Sequence, residues 1–260
     1  MKPLPVKKII SKSFSIFVKD FNNFINIVIV PFVIILPFYL YTIYYDDLIL
    51  NLFEKEGFVS YLRGSPRTKI INFLLIFPIT SCFMASWHRY VFFNGKKPWT
   101  YIPLDLSGYS IKFIWKAILV GLIFIVPTYA FFFLIGYFGL FTNVPIIILA
   151  VVIYIIVGII YFVRISIIFP ATAMEKENTI KKIFQLTKNN FWRMFLIYIS
   201  AILFFLLFAI ILFIYEIYLP TEGNLMRTMM IGIVEVIYVF FMYAYLASCA
   251  SQIYKHLIDD

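Results

Sequence analysis

Long apolar runs alternate with short basic segments along the whole chain. Each run is close to or above the roughly 20 residues that an α-helix needs to cross a hydrocarbon core. Prolines fall inside several runs, and we expect them to bend the helices, because neighbouring helices can satisfy the freed carbonyls. The pattern predicts an all-α membrane protein with six transmembrane helices, at about 22–45, 70–93, 111–137, 143–168, 191–218 and 229–251.

The first 21 residues show a different pattern, with apolar positions at helical spacing and lysines on the other face. This spacing predicts an amphipathic helix that lies in the membrane interface, since the segment is too polar to cross the bilayer. No small-residue cleavage site follows, so we expect it to be retained rather than cleaved as a signal peptide. The apolar stripe is Ile10, Phe14, Phe17, Val18 and Phe21.

Residues 164–193 show the connection between two spans most plainly. The chain leaves one apolar run, is predicted to break at Pro170, and begins a short helix that Asn178 or Thr179 can cap. One helix face is apolar and the other basic, which predicts a position at headgroup depth. The apolar face is Ile180, Ile183, Phe184, Thr187 and Phe191; the polar face is Lys181, Lys182, Gln185, Lys188 and Asn189.

The segments before the first and third hairpins align as repeats. A shift of 167 residues superposes 16–17 on 183–184 and 22–24 on 189–191. Residues 105–116 play the same part less regularly before the middle hairpin, because Gly108 weakens a helix there. The alternative is that any helix start at the inner leaflet attracts lysine, asparagine and aromatic residues.

We therefore predict one integral membrane domain, 1–260, built from three hairpin units at about 7–93, 101–168 and 175–255. Each hairpin is preceded by a cytoplasmic interfacial amphipathic helix, and the units are related about an axis along the membrane normal. The chain then alternates between the two sides of the membrane, with both termini on one side.

Composition and charge agree with this topology. Hydrophobic residues make up 63% of the chain and charged residues 13%, too few to cover a soluble protein of this size. The predicted inner side holds 17 of the 22 lysines and arginines, so both termini are predicted to be cytoplasmic. The net charge of +9 lies beside apolar runs, which favours a membrane surface over nucleic acid as the partner.

The motifs around two span ends resemble a known family. One span ends in RISIIFPATA (164–173) and is followed by Glu175, a lysine-rich helix and LTKNNFWR (186–193); WHRYV (87–91) ends another. These resemble the bacterial membrane domain that accompanies some glycerophosphodiester phosphodiesterases, and its stand-alone inner-membrane relatives. The resemblance implies a bacterial inner-membrane topology more than an activity, because in such proteins catalysis belongs to a separate soluble domain.

Basic residues at the span ends are candidates for binding an anionic headgroup or phosphate. The alternative is that they are ordinary positive-inside anchors, with His88 a hydrogen-bonded interfacial histidine. Trp192 and Arg193 are predicted to anchor the fifth span at the interface. The candidate lipid- or anion-binding residues are His88, Arg89, Arg164, Lys181, Lys182, Lys188 and Arg193.

Glu235 is the acid that lies well inside a predicted span. An ionised carboxylate is costly there, so it should face the bundle, pair with a cation or be protonated. One interpretation is a proton or cation site; the structural interpretation is a hydrogen bond between helices or a position wet from the outer side. Ala244, Ala247, Ser248 and Ser251 have the spacing of a close helix-packing face.

No other chemistry stands out in the sequence. Cys82 and Cys249 both fall in predicted spans, which indicates buried thiols rather than a disulfide. His88 and His256 are too isolated to predict a zinc site. Nucleophile elbows, phosphate loops and paired catalytic carboxylates are missing, so we predict no catalytic residue and no cofactor.

Two functional hypotheses follow. The first is a non-enzymatic membrane protein whose basic interfacial helices bind anionic lipid headgroups or a membrane protein partner. The second is a transporter or channel for a small solute or lipid, with a path between the hairpins near Glu235. A polar cavity beside Glu235 would favour the second. An intramembrane enzyme acting on lipid phosphates would need acids and histidines beside Arg89 and Arg164, which the sequence does not display.

Overall fold

The computed structural model describes residues 3–52, 72–93, 108–137, 139, 144–176, 179–218 and 225–258. These residues are almost entirely helical and contain no strand. A π-helical turn, Asn72–Ile76, leads into the third α-helix. The α-helices are α1 (Val6–Lys19), α2 (Phe21–Leu52), α3 (Phe77–Phe93), α4 (Gly108–Tyr137), α5 (Val144–Ile165), α6 (Ile168–Ala173), α7 (Ile180–Thr187), α8 (Phe191–Tyr218) and α9 (Leu225–Ile258).

Five stretches within the described residues are long and apolar enough to cross a membrane, and they fit a multi-pass membrane protein. They correspond to five of the six predicted spans. The remaining one corresponds to α3, which has 17 residues and carries polar side chains in its second half, so six spans stay a prediction. The stretches are Phe21–Tyr41, Gly108–Tyr137, Pro145–Ala173, Phe191–Leu212 and Met229–Ile258.

The centre of the bundle is α9, which packs against α1, α2, α3, α6 and α8. Its small residues make these contacts possible: Ala244, Ala247, Ser248 and Ser251 are all at most 1% exposed. Small side chains let neighbouring backbones approach closely, which is how helices associate where lipid offers no hydrophobic driving force. The close packing predicted from the spacing of these residues is confirmed.

Two buried clusters meet on α9. One joins α2, α3 and α9 around Phe24, Trp87 and Phe240. The other joins α1, α8 and α9 to the segment that connects α5 with α8, around Ile183 and Ile197. The short helices α1, α6 and α7 therefore pack onto one end of the bundle, and we call this the basic end. It also holds the starts of α2, α4 and α8 and the ends of α3, α5 and α9.

The chain break between α5 and α8 differs from the prediction. It falls at Ser166 and Ile167, where a turn separates α5 from α6. Pro170 lies in the first turn of α6, where its missing N–H and fixed φ cost little. The prediction of a break at Pro170 was therefore wrong by three to four residues. α6 is a buried helix that the sequence pattern did not separate from the preceding span.

The proposed repeat is preserved at two of its three sites. A short helix and a tight turn precede a long helix both at α1–α2 and at α7–α8. At the middle site α4 runs from Gly108 without a break, so residues 108–116 form no separate interfacial helix. Residues 105–107 and Asn178 lie outside the described residues.

Candidate functional site

A hydrogen-bonded seam joins α3 to α9. Trp87 is fully buried, and its Nε1 donates to the Ala244 carbonyl at 2.7 Å and to the Ser248 hydroxyl at 2.9 Å. A tryptophan that is buried this deeply needs a partner for its N–H, and the small residues of α9 leave room for the ring. Trp87 therefore holds α3 and α9 together, a role that the sequence motif alone did not indicate.

His88 lies in the same seam. It is 1% exposed, and 2.7 Å separates its Nδ1 from the Ser251 hydroxyl. On its other side the ring contacts Phe113 of α4. His88 is therefore a buried polar link between α3, α9 and α4 rather than part of the exposed surface.

Arg89 contacts α6 and α4. Its guanidinium donates to the carbonyl of Ala173 at 2.9 Å, at the end of α6, and lies 4.2 Å from the ring centre of Tyr109. The last carbonyls of a helix carry partial negative charge and lack partners within the helix, so a cation there is stabilising. Arg89 thus binds α6 to the rest of the basic end.

Arg164 makes the corresponding contact with α7. Its Nε donates to the Thr187 hydroxyl at 3.0 Å, and its Nη2 donates to the carbonyl of Phe184. The guanidinium also lies 4.3 Å from the ring centre of Phe184. These contacts cap the last turn of α7 and fix it against the end of α5.

Lys255 repeats the arrangement a third time, donating to the carbonyl of Phe92 at the end of α3 at 3.3 Å. Three basic residues near the C-terminal ends of α3, α5 and α9 thus each bind a carbonyl at the end of a neighbouring helix. Sequence analysis missed this pattern because the partner carbonyl belongs to another part of the chain in each case.

The segment before α1 docks on the start of α8. The backbone N–H of Leu4 donates to Asn190 Oδ1 at 3.0 Å, and Arg193 donates to the Leu4 carbonyl at 3.5 Å. Asn23, which the repeat aligns with Asn190, donates to the Tyr90 hydroxyl at 3.0 Å. Asn190 therefore links the N-terminal segment to the third hairpin unit, whereas Asn23 makes its contact within the first unit. Trp192, two residues after Asn190, is 71% exposed.

The lysines of α7 point away from this packed interior. Ile183 and Thr187 are buried, whereas Lys181, Lys182 and Lys188 are exposed. The Thr179 hydroxyl accepts from the Lys182 N–H at 3.3 Å, as predicted for the helix cap. The lysine side chains therefore form an outward-facing surface over a buried apolar stripe.

The lysines of α1 are also exposed, but so are Phe14, Val18 and Phe21 of the apolar stripe predicted for this segment. Ile9 and Ser13 are buried against the bundle, and Lys7, Lys8 and Lys19 are exposed. We refer to the exposed lysines of α1 and α7, with Arg193, as the lysine surface. Arg89 and Arg164 are only partly exposed and are engaged in helix caps, so they support this surface from within.

Glu235 makes a contact between helices. The hydroxyl of Tyr39 in α2 donates to Glu235 Oε2 at 2.9 Å. This is the hydrogen bond that the structural interpretation predicts. Two surface grooves occur elsewhere, one beside Pro5 to Ser11 and one along α4, and neither contacts Glu235.

Within the described residues, no group of three or more His, Cys, Asp or Glu side chains is positioned to hold a metal ion. Cys82 and Cys249 are buried free thiols. The site is thus a cationic surface over a capped, hydrogen-bonded interior. No protein-family model, curated protein or solved structure matches this chain, so the resemblance to the phosphodiesterase-associated membrane family stays a prediction.

Proposed function

We propose that this protein is a non-enzymatic, multi-pass inner-membrane protein whose lysine surface binds anionic lipid headgroups. In this proposal the basic end faces the cytoplasm, both termini are cytoplasmic, and α1 and α7 lie in the interface. The observation that carries the proposal is the division of α7: Ile183 and Thr187 are buried against the bundle, while Lys181, Lys182 and Lys188 face outward.

Electrostatics supports the choice of an anionic partner. A lysine close to an anionic leaflet contributes roughly 1 kcal/mol, and the lysine surface gathers several from the two short helices α1 and α7. The contacts of Arg164 with Phe184 and Thr187 hold the last turn of α7 in place, so the lysines of that helix are presented on a fixed support. A membrane protein with an acidic patch would satisfy the same surface, but lipid phosphates are already present at that depth.

The proposal is testable with the full chain in bilayers of phosphatidylglycerol and phosphatidylcholine. Spin-labelled lipids report which of the two contacts the protein. We expect a preference for phosphatidylglycerol that falls at least about fivefold, equivalent to roughly 1 kcal/mol, when Lys181, Lys182 and Lys188 are all changed to Glu.

The matched control changes the same three lysines to Arg, which keeps the charge and should keep the preference. If the Glu variant retains the preference of the unaltered protein, the lysine surface does not bind anionic lipid and the proposal fails. A preference that also disappears in the Arg variant would point to damaged packing and would equally contradict it.

A further inference from the structure

An apolar groove of about 500 Å³ runs along one side of α4 and ends at the start of α7. Every residue that lines it is apolar, and it is open to the surroundings of the protein rather than enclosed. We call it the α4 groove. Its lining residues are Leu119, Leu122, Ile123, Val126, Pro127 and Ile180.

The groove is not on the side of α4 that packs into the bundle. Tyr109, Phe113 and Val120 are buried there, where α4 contacts α3 and α6. Leu122 and Val126 lie on another side of the helix and are exposed, Leu122 at 47% and Val126 at 59%. The α4 groove therefore lies on the outer surface of the helix bundle. In a membrane, this surface contacts lipid.

Lysines continue the groove toward the basic end. Lys112, Lys116, Leu119 and Ile123 follow one another along α4 at spacings of four, three and four residues. These spacings place all four on one side of the helix. On the other wall, Lys181 and Lys182 directly follow Ile180 and are exposed. One end of a wholly apolar groove is thus flanked by two pairs of cations from two helices.

We propose that the α4 groove seats one acyl chain of an anionic phospholipid, with the phosphate held between Lys116 and Lys181. This inference rests on the proposed function and adds a defined site to it. An amphiphile with a negative head is the occupant that matches cations at one end and apolar side chains along the rest. An extended peptide segment would leave its backbone polar groups without partners against this lining.

The dimensions agree with a single chain. From Leu119 to Pro127 the helix rises about 12 Å, close to half of a hydrocarbon core of about 30 Å. A chain in the groove would therefore run from headgroup depth toward the middle of the bilayer. Its headgroup would meet the lysines at the depth at which α7 is proposed to lie.

Native mass spectrometry of the full chain tests this site. The protein is purified from a bilayer with equal amounts of phosphatidylglycerol and phosphatidylcholine, and the retained lipids are counted. We expect one retained phosphatidylglycerol, at least about fivefold over phosphatidylcholine. Val126→Trp, which fills the groove, should lower this retention at least about fivefold.

The matched control is Ile125→Trp. Ile125 is 51% exposed, against 59% for Val126, but lies on a different side of α4 from the groove. It should retain phosphatidylglycerol like the unaltered protein. Circular dichroism shows whether each variant keeps its helices; if Val126→Trp does not, Ile180→Trp fills the groove from the α7 wall and is judged by the same criterion.

Three results would overturn the inference: equal retention in the Val126→Trp and unaltered proteins, equal loss in Val126→Trp and Ile125→Trp, or no excess of phosphatidylglycerol over phosphatidylcholine. None of these alters the spin-label preference expected for the lysine surface. Failure of the groove alone would leave that preference intact, whereas failure of the proposed function would abolish it in the unaltered protein.

Discussion

The helices α5 and α9 differ in a way that runs against expectations from soluble proteins. The most apolar stretch of α5 is more hydrophobic than that of α9, yet only 6% of it is buried within the protein, compared with 28% for α9. The residues of α5 that face outward are mostly Ile and Val, while α9 buries Ala, Ser, Cys and Tyr. The more hydrophobic helix is the less buried one.

The physical reason is that lipid tails are as apolar as leucine, so burying a leucine against protein gains little in a bilayer. Close packing and hydrogen bonds drive helix association instead, and both favour small and polar residues. Trp87 with Ser248, and His88 with Ser251, are the contacts of this kind at the centre of the protein. The same substitution should therefore lower the unfolding free energy much more on α3 or α9 than at a lipid-facing position.

The largest effect is expected for Trp87→Ala. It removes a fully buried ring and leaves the Ala244 carbonyl and Ser248 without the indole N–H, so stability should fall by about 3–5 kcal/mol. Unfolding of the full chain in mixed micelles measures this loss. Trp192→Ala, at a ring that is 71% exposed, is the control and should cost far less. Equal losses of stability in the two variants would show that the buried seam between α3 and α9 contributes no more than the exposed surface.

Enlarging a small residue of the centre should come next. Ala244→Leu adds volume at a fully buried site against α3, and overpacking of this kind costs about 1–3 kcal/mol. Ala130→Leu makes the same enlargement at an exposed position of α4 and should change stability by less than about 0.5 kcal/mol. If Ala244→Leu left stability unchanged, the packing of α9 against α3 would not depend on close approach of the two helices.

Arg164→Gln tests the capped interior of the basic end. Losing the guanidinium from the end of α7 should weaken that helix by about 1–2 kcal/mol, because a partly buried cation at a helix C-terminus is removed. Hydrogen exchange of the amides of residues 180–187 reports the loss. Lys182→Gln removes an exposed charge from the same helix; if it speeds exchange as much, the cap is not what holds α7.

The smallest effect is expected for Tyr39→Phe, which deletes the hydrogen bond to Glu235. Hydrogen bonds between helices in membranes average about 0.6 kcal/mol, so the loss in unfolding free energy should be of that order. Tyr129→Phe, at a side chain that is 75% exposed, serves as its control. A transport defect in Tyr39→Phe at unchanged stability would instead revive the path near Glu235.

Sequence reasoning and structure agree best where one helix is concerned. The cap at Thr179 and the buried small residues of α9 follow from spacing alone, and the structure has them. Of the apolar stripe predicted for α7, Ile183 and Thr187 are buried, whereas Ile180 is 42% exposed. They diverge where distant segments meet. Arg89, Arg164 and His88 were grouped as an anion site, but their partners are Ala173, Phe184, Thr187 and Ser251. Nothing in a local pattern indicates which carbonyl a guanidinium will reach.

By itself, the sequence determined that the chain is helical and apolar enough to cross a membrane several times, because the hydropathy and length of a run decide whether it is stable in hydrocarbon. It also determined which helices carry a lysine face. Only the tertiary structure decided that α5 faces outward while α9 is central, and that α6 is a separate buried helix. Those outcomes depend on packing and hydrogen bonds between residues far apart in the chain, which hydrophobicity does not encode when the solvent is lipid.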